Sequence, residues 1–332
     1  MKIAIIMSGQ AFEAGGGVRM QGLMWAEGLR KLGHHIELIN FWSSYNWSDF
    51  DIAIVLQFGG LFNAIIESLK KYNLKIVIAP IIDPHRNQFS YRLLCRWIKC
   101  DILKLHSSYN YLYSGCQNAD LCLVRSKYES RYLSYCCDVD SKKIQIIPLS
   151  VRFAGLPEFP QKENICFHAS RLFSPNKNVS RLISAAKKYG FRLVLAGYLN
   201  GEKEKGWLYK QIENASNIEY VGALSDDELK RYYRVAKVFA LPSLNEGVGM
   251  VAMEAAGYGC EIVLTDRGAP KEYWKGRAYL VNPYSVDSIG QAILSCLENG
   301  YSQPLLMDYI KENYSLDKCS RMLEGAISKL LR

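Results

Sequence analysis

Nowhere in the 332-residue chain do apolar residues run for the roughly 18 positions that a membrane-crossing helix needs. The opening MKIAIIMSGQ is too short an apolar stretch for a secretory leader and reads as a first buried strand. Cysteine is present, but without the spacing that makes it a ligand. The ten cysteines (95, 100, 116, 122, 136, 137, 166, 260, 296 and 319) form no C-x-x-C, and several sit in apolar runs, as Cys166 does in NICFHAS. That pattern excludes a zinc ribbon and points to a reduced, cytoplasmic protein whose thiols serve as small hydrophobes. Low-complexity tracts and repeats of about 20–50 residues are also missing, which excludes solenoids. Acidic charge is in deficit: the formal net charge is +9, with 18 Lys and Arg against 12 Asp and Glu in residues 1–152 and 23 against 20 in the remainder. A basic first half suits an anionic partner, either phosphates or a lipid surface. Positive charge is all that favours nucleic acid, and no recognised nucleic-acid module accompanies it.

What is present is a globular composition, 49% hydrophobic and 22% charged, on a chain long enough for two cores of roughly 150 residues each. Short β-branched runs alternate with helical patterns from end to end, predicting parallel sheets covered by helices. The strands are expected at 3–7, 35–39, 52–56, 75–79, 121–124 and 144–147, then at 165–168, 192–196, 218–221, 238–241, 261–264 and 278–281. The join falls in PLSVRFAGLPEFPQKEN, residues 148–164, which holds three of the ten prolines. Two such sheets facing each other would line a cleft with the carboxyl ends of their strands, where ligands of these sheets bind.

The first strand leads into SGQAFEAGGGVRMQGLMWAEGLRKLGHHIELI. Gly15, Gly16 and Gly17 let the backbone approach a bound group, and the helix expected from Val18 offers N–H groups to an anion. The fingerprint G-x-G-x-x-G is not met, since its third position would be Met20. A plain strand-to-helix loop accounts for this segment equally well. After strand 165–168, ASRLFSPNKN places Arg171 and Lys177 at a carboxyl strand end, where a guanidinium fork and a compact ammonium could clamp a diphosphate; solvated surface cations are the alternative. Strand 238–241 ends in PSLNEGVG. Glu246 stands in the loop and Glu254 in the helix that follows. Gly247 and Gly249 permit close approach, and the N–H groups of Gly249, Met250 and Val251 open the helix towards a phosphate. An acid near a helix start is an ordinary stabiliser, which explains Glu254 but not Glu246 ahead of two glycines. Carboxylates accept paired hydrogen bonds from vicinal hydroxyls, so a sugar-bearing ligand accounts for both.

In this order and spacing the chain resembles, along essentially its whole length, the family 4 (GT4) retaining glycosyltransferases. PSLNEGVGMVAMEAAGYGCEIVLTD looks like their E-x7-E signature and next strand, supported by GLRKLGHHIEL, NADLCLVRSKYESRYL, SRLFSPNKN and LVLAG. The resemblance implies an α/β protein of GT-B architecture, two Rossmann-like doubly wound parallel-sheet domains facing a central cleft. Residues 1–152 would be the acceptor domain, 153–304 the donor domain, and 305–332 a final helix crossing back. It further implies a retaining hexosyltransferase that moves a sugar from a UDP- or GDP-linked donor to a glycan or lipid-linked glycan, in cell-surface polysaccharide or glycolipid biosynthesis, with no metal and no cofactor. Carried over by position, Arg171 and Lys177 match the donor-diphosphate pair, Glu246 the sugar contact and Glu254 the ribose contact. Gly249, Met250 and Val251 match the diphosphate amides, and Gly16 and Gly17 the loop that closes over the donor. Gly197 of LVLAG and Gly247 join the donor-binding set, and Glu246, Arg171 and Lys177 form the catalytic set. The chain also departs from the family. Many members have a histidine after the strand at 75–79, where VIAPIIDPHRN offers Asp83 and His85 as candidate sugar or acceptor contacts. The usual connector P-N-G-V-D is Pro148-Leu149-Ser150-Val151-Arg152.

Glycosyl transfer develops an oxocarbenium-like centre as a diphosphate leaves, so cations and helix-start amides would stabilise the departing charge. The leaving phosphate itself can accept the acceptor's proton, and no dedicated base need appear. Asp138-Val139-Asp140 spells the D-x-D metal signature of the other glycosyltransferase architecture, but it precedes a strand on an expected solvated turn and is read as structural. HRNQFSYRLLCRWIKCDILKLHSSYNYLY, residues 85–113, interleaves five cations with aromatic residues. As a basic helix it could lie on an anionic membrane at the inner face of the cell, or equally pack on its own domain with the cations in water. Two other functions fit the same residues, a nucleotide-sugar epimerase of GT-B fold and a catalytically silent sugar-nucleotide-binding protein.

Overall fold

Strands form where aliphatic and β-branched residues bunch without polar interruption, as in Ile52-Ala53-Ile54-Val55-Leu56 and Ile262-Val263-Leu264. Such runs are buried on both faces, as parallel strands between helix layers are. The structure, a computed structural model, describes residues 1–7, 17–84, 86–97, 99–100, 105–153, 155–300 and 302–332. It forms two units, one of Met1–Ser150 with Tyr314–Arg332, the other of Val151–Asn313.

The first unit has strands β1 (Lys2–Ile6), β2 (His35–Leu38), β3 (Ile52–Leu56), β4 (Lys75–Ala79), β5 (Lys99–Cys100), β6 (Leu105–His106), β7 (Leu121–Val124) and β8 (Ile144–Ile146). Its helices are α1 (Gly17–Lys31), α2 (Gly60–Leu69), α3 (Gln88–Arg96), α4 (Ser108–Asn118) and α5 (Lys127–Cys137). The main sheet runs β2-β1-β3-β4-β7-β8, parallel throughout, and β5 and β6 form a separate small antiparallel pair. Alternation along the strands sends Ala53, Val55, Ile76 and Ile78 to the face covered by α2, α4 and α5, and Ile52, Ile54, Leu56, Val77 and Ala79 to the face covered by α1.

The second unit has β9 (Glu163–Ala169), α6 (Val179–Tyr189), β10 (Arg192–Ala196), α7 (Gly201–Ile212), β11 (Ile218–Tyr220), α8 (Asp226–Val235), β12 (Ala236–Leu241), α9 (Met250–Gly257), β13 (Glu261–Thr265), α10 (Pro270–Trp274), β14 (Tyr279–Val281), α11 (Val286–Asn299) and α12 (Leu305–Tyr314). Its sheet runs β11-β10-β9-β12-β13-β14, again parallel throughout. The strand order reverses between β9 and β12, so a crevice opens outside their carboxyl ends.

The twelve expected strands are all present, with ends within two residues of the reading from sequence. Two helical readings are corrected. Residues 85–113 are not one helix. Asn87 caps α3 by accepting from Ser90 N at 2.8 Å, and Ser107 opens α4 with a capping box to Asn110. Asn110 Nδ2 also donates to Leu94 O (3.1 Å) and Cys95 O (3.0 Å), closing off the last turn of α3. Residues 305–332 are likewise two helices, α12 and α13 (Leu316–Ser328), broken where Ser315 caps the second. Helix α13 lies on α1 in the first unit, adding Leu323, Ala326 and Ile327 to the core that holds Ile3, Ile5, Trp25 and Leu29. His34 Nε2 meets Glu324 Oε1 of α13 at 2.8 Å.

No helix among the described residues is long and apolar enough to cross a membrane. The nine cysteines other than Cys100 are buried and free of disulfides. Asp138 ends α5 in the left-handed region and meets Arg92 (3.2 Å) and Arg96 (2.7 Å), while Asp140 caps the next turn by accepting from Lys142 N. The two acids of D-x-D thus have separate structural jobs.

Candidate active site

The crevice outside β9 and β12 receives one loop from each strand. After β9 the chain makes a short 3-10 turn over Pro175–Lys177 and enters α6 through Asn178, which is buried in the left-handed region at φ 59°. After β12 it runs through Pro242 to Gly249, whose φ of 77° turns the chain into α9. Two asparagines stitch these loops together. Asn176 donates through Nδ2 to Asn245 O (2.9 Å) and accepts from Asn245 N (3.1 Å), while Leu244 N donates to Asn176 O (2.8 Å). Asn178 Nδ2 donates to Pro242 O (2.9 Å) and Pro283 O (2.7 Å). Buried backbone groups are thereby satisfied, and Lys177 is fixed between its two anchors.

Fixed in this way, Lys177 Nζ donates to Glu246 Oε2 at 2.9 Å, and Ser243 Oγ donates to the same oxygen at 2.8 Å. The Glu246 backbone is gripped as well: Glu246 N donates to Arg267 O (3.3 Å), and Ala269 N donates to Glu246 O (3.2 Å). Gly268 has φ +90°, and a side-chain carbon there would lie 2.1 Å from Glu246 O, so only glycine fits. Met250 and Val251 open α9, and the first N–H groups of a helix have no partner within it. Arg171 lies exposed on the turn that begins the β9 loop, its carbonyl accepting from Ser174 N at 3.0 Å. Gly197 ends β10 in tight contact: an added side-chain carbon would lie 1.8 Å from Ser170 O.

Beneath this loop pair His168 is fully buried. Its Nδ1 lies 2.7 Å from Ala240 O, a pure acceptor, so Nδ1 carries the proton and donates to it. Nε2 then accepts from Ser170 Oγ at 2.7 Å. Burial pulls its pKa down to about 4, and the charge on Lys177 adds in the same direction. The site is thus floored by a neutral imidazole.

Glu254 is placed differently from Glu246. It faces α8 and is 1% exposed, with Arg152 Nε on Oε1 at 2.5 Å, Arg152 Nη2 on Oε2 at 2.9 Å and Tyr233 Oη 3.4 Å from Oε2. Burial raises its pKa and Arg152 opposes that rise. Arg152 continues to Asp226 Oδ1 (2.9 Å) and lies over the Phe153 ring at 4.6 Å.

Of the residues expected to act together, the structure groups Lys177, Glu246, Gly247, Gly249, Met250 and Val251 around one loop pair, with Arg171 at its start. Asp83 belongs to the first unit, where its Oδ1 accepts from Arg125 Nη2 at 2.8 Å, and buried Arg125 also binds Glu129 at 3.1 Å. Gly17 begins α1; Gly16 and His85 lie outside the described residues. The reading from sequence missed Asn176, Asn178, Ser243, His168 and Arg152. For the asparagines a signal existed: polar residues with short side chains flank Lys177 on both sides in PNKN. For His168 and Arg152 none did.

Known proteins match in two ways. Residues 156–315 match the family model of glycosyl transferases group 1. The O-antigen chain mannosyltransferase B of Escherichia coli is 24% identical over 206 residues, covering 57% of this chain and 54% of that protein. The chain spans about half the length of the curated relatives it matches. Among solved structures, a sucrose-phosphate synthase from Thermosynechococcus elongatus superposes with a TM-score of 0.77 at 16% identity over 99% of both chains. Anabaena HepE, solved with UDP and glucose, gives 0.72 at 14% identity over 99% of this chain and 100% of its own. The chain therefore has the GT-B fold, with two Rossmann-like units of six parallel strands each, and the unit that holds the Lys177–Glu246 site carries the sequence pattern of the glycosyl transferases group 1.

Proposed function

We propose that the protein is a retaining hexosyltransferase, moving a sugar from a UDP- or GDP-linked donor to a glycan or lipid-linked glycan during synthesis of a cell-surface polysaccharide or glycolipid. The observation that carries this reading is the Lys177–Glu246–Ser243 cluster at the switch point of the second sheet, beside the start of α9. The group 1 family match, the O-antigen relative and the complex of HepE with UDP and glucose support it.

In this reading the diphosphate lies against the first N–H groups of α9 with Lys177 and Arg171 as counter-charges. Lys177 has three N–H donors and gives one to Glu246, so two remain for phosphate oxygens. Glu246 receives Lys177 and Ser243 on Oε2, which leaves Oε1 for a sugar hydroxyl. As the glycosidic bond to phosphate breaks, negative charge grows on the phosphate, where the fixed ammonium and amides favour the transition state over the ground state. That phosphate takes the acceptor's proton, and no metal enters the scheme. Glu254 is the ribose contact in this scheme. A ribose reaching it must draw Arg152 from at least one carboxylate oxygen.

The test is a thermal-shift panel of UDP, GDP, ADP and CMP with their hexose derivatives. One base should stand out, since binding to the native state at about 100 times Kd adds about 2.7 kcal/mol. Lys177→Ala should then lower kcat by about 100-fold or more. A panel in which every nucleotide leaves Tm unchanged overturns the assignment.

A further inference from the structure

Helix α3 has two unlike faces. Tyr91 and Cys95 are buried in the core of the first unit. Phe89, Leu93 and Trp97 follow at i, i+4 and i+8 along one stripe and are 64%, 38% and 70% exposed. Such spacing ordinarily marks a seam packed against protein, yet here it faces outward. Cations border it: Arg92 and Arg96 each precede a member of the stripe, and Arg86, exposed, lies just before the helix. Arg92 and Arg96 share a single acid, Asp138, so the border keeps a positive balance. Helix α3 follows the carboxyl end of β4.

We infer that the outward face of α3 docks on an anionic membrane surface. Phe89, Leu93 and Trp97 enter the boundary between headgroups and acyl chains, while Arg86, Arg92 and Arg96 meet lipid phosphates. The charge selects this occupant. A second copy of the chain would bring the same basic border and repel it, whereas an anionic bilayer complements the cations and the apolar stripe together. Tryptophan and phenylalanine beside arginine suit an interface that is apolar on one side and wet on the other. The inference needs nothing from the transfer reaction, although a lipid-linked acceptor would lie in the same surface.

Co-sedimentation of the full chain, without nucleotide, with vesicles of phosphatidylglycerol and phosphatidylcholine in equal parts tests it, against phosphatidylcholine alone. At low salt the protein should pellet with the anionic vesicles only, and less of it should do so as salt rises. The triple variant Phe89→Ser, Leu93→Ser, Trp97→Ser should weaken the partition coefficient by about tenfold or more. Its Tm should fall by no more than a few degrees, because Phe89 and Trp97 are mostly exposed and only Leu93, at 38%, gives up substantial packing. Subtracting the Trp97→Phe spectrum should isolate a Trp97 emission that shifts to the blue on binding. Equal pelleting of wild type and triple variant overturns the inference, as does failure to pellet at low salt. A concentration-dependent dimer abolished by the triple variant, with no vesicle binding, would instead assign the stripe to self-association. None of these results alters the nucleotide panel, so the two readings fail separately.

Discussion

At the residue scale the two glutamates of the E-x7-E segment have different electrostatic settings. Glu246 is partly open and shares one oxygen, Oε2, between a lysine and a serine. Glu254 is enclosed, and both of its oxygens are occupied by Arg152, 102 positions away in the chain. Taking both charges out of water costs several kcal/mol per ion, which a bidentate contact offsets, so removing one partner is worse than removing both. Arg152→Met should therefore lose about 3–5 kcal/mol in urea unfolding, and Glu254→Leu a similar amount. The double variant should lose clearly less than the two singles combined. Additive losses would show that the carboxylate is not relying on the guanidinium, and that the connector is held to α9 in some other way.

At the element scale, the packing of α13 on α1 turns on a single glycine. Gly28 lies mid-helix, where replacement by alanine ordinarily stabilises by about 1 kcal/mol. Here an added carbon would lie 1.8 Å from Ser320 Oγ and 2.7 Å from Ser320 Cβ. The hydroxyl can rotate away, but the Cβ cannot, so the helices must separate, at a cost of about 1–3 kcal/mol. The clash outweighs the propensity gain. Gly28→Ala should therefore destabilise the first unit, and adding Ser320→Gly should recover part of the loss in calorimetry. A more stable Gly28→Ala would contradict the close approach of α1 and α13. The strands were legible in the sequence because a run such as Ile52–Leu56 carries its own signal, being apolar on both faces over a strand's length. Lys177 and Glu246 were legible as residue types at strand ends, and the crevice followed from parallel topology. What could not be read were contacts between distant segments: Arg152 on Glu254, Asn178 on Pro242 and Pro283, Ser320 beside Gly28. The helix readings failed for another reason. Across 85–113 the pair β5–β6 separates α3 from α4, which Ser107 caps, and across 305–332 the cap at Ser315 marks where a new helix begins.

At the scale of the whole molecule, two units with separate cores need not unfold together, so a perturbation in one can be read apart from the other. His168 supplies such a perturbation. Its folded pKa of about 4 lies below the ordinary imidazole value of 6.5. As pH falls, the unfolded chain takes the proton first, so the second unit loses stability between about pH 6.5 and pH 4 and keeps the full contribution above that window. The shift corresponds to about 2 kcal/mol lost by pH 5 and about 3 kcal/mol by pH 4. Hydrogen exchange read by mass spectrometry, corrected for intrinsic rates, should show β9 and β12 losing protection over this range beyond any change in β3 and β4. His168→Gln removes the titrating group while retaining an amide that can donate to Ala240 O, so its absolute stability is secondary and its slope against pH is the readout. Parallel slopes for wild type and variant would mean that the buried imidazole accepts its proton without cost. The neutral floor beneath Lys177 and Glu246 would then contribute nothing to the acid sensitivity of the second unit.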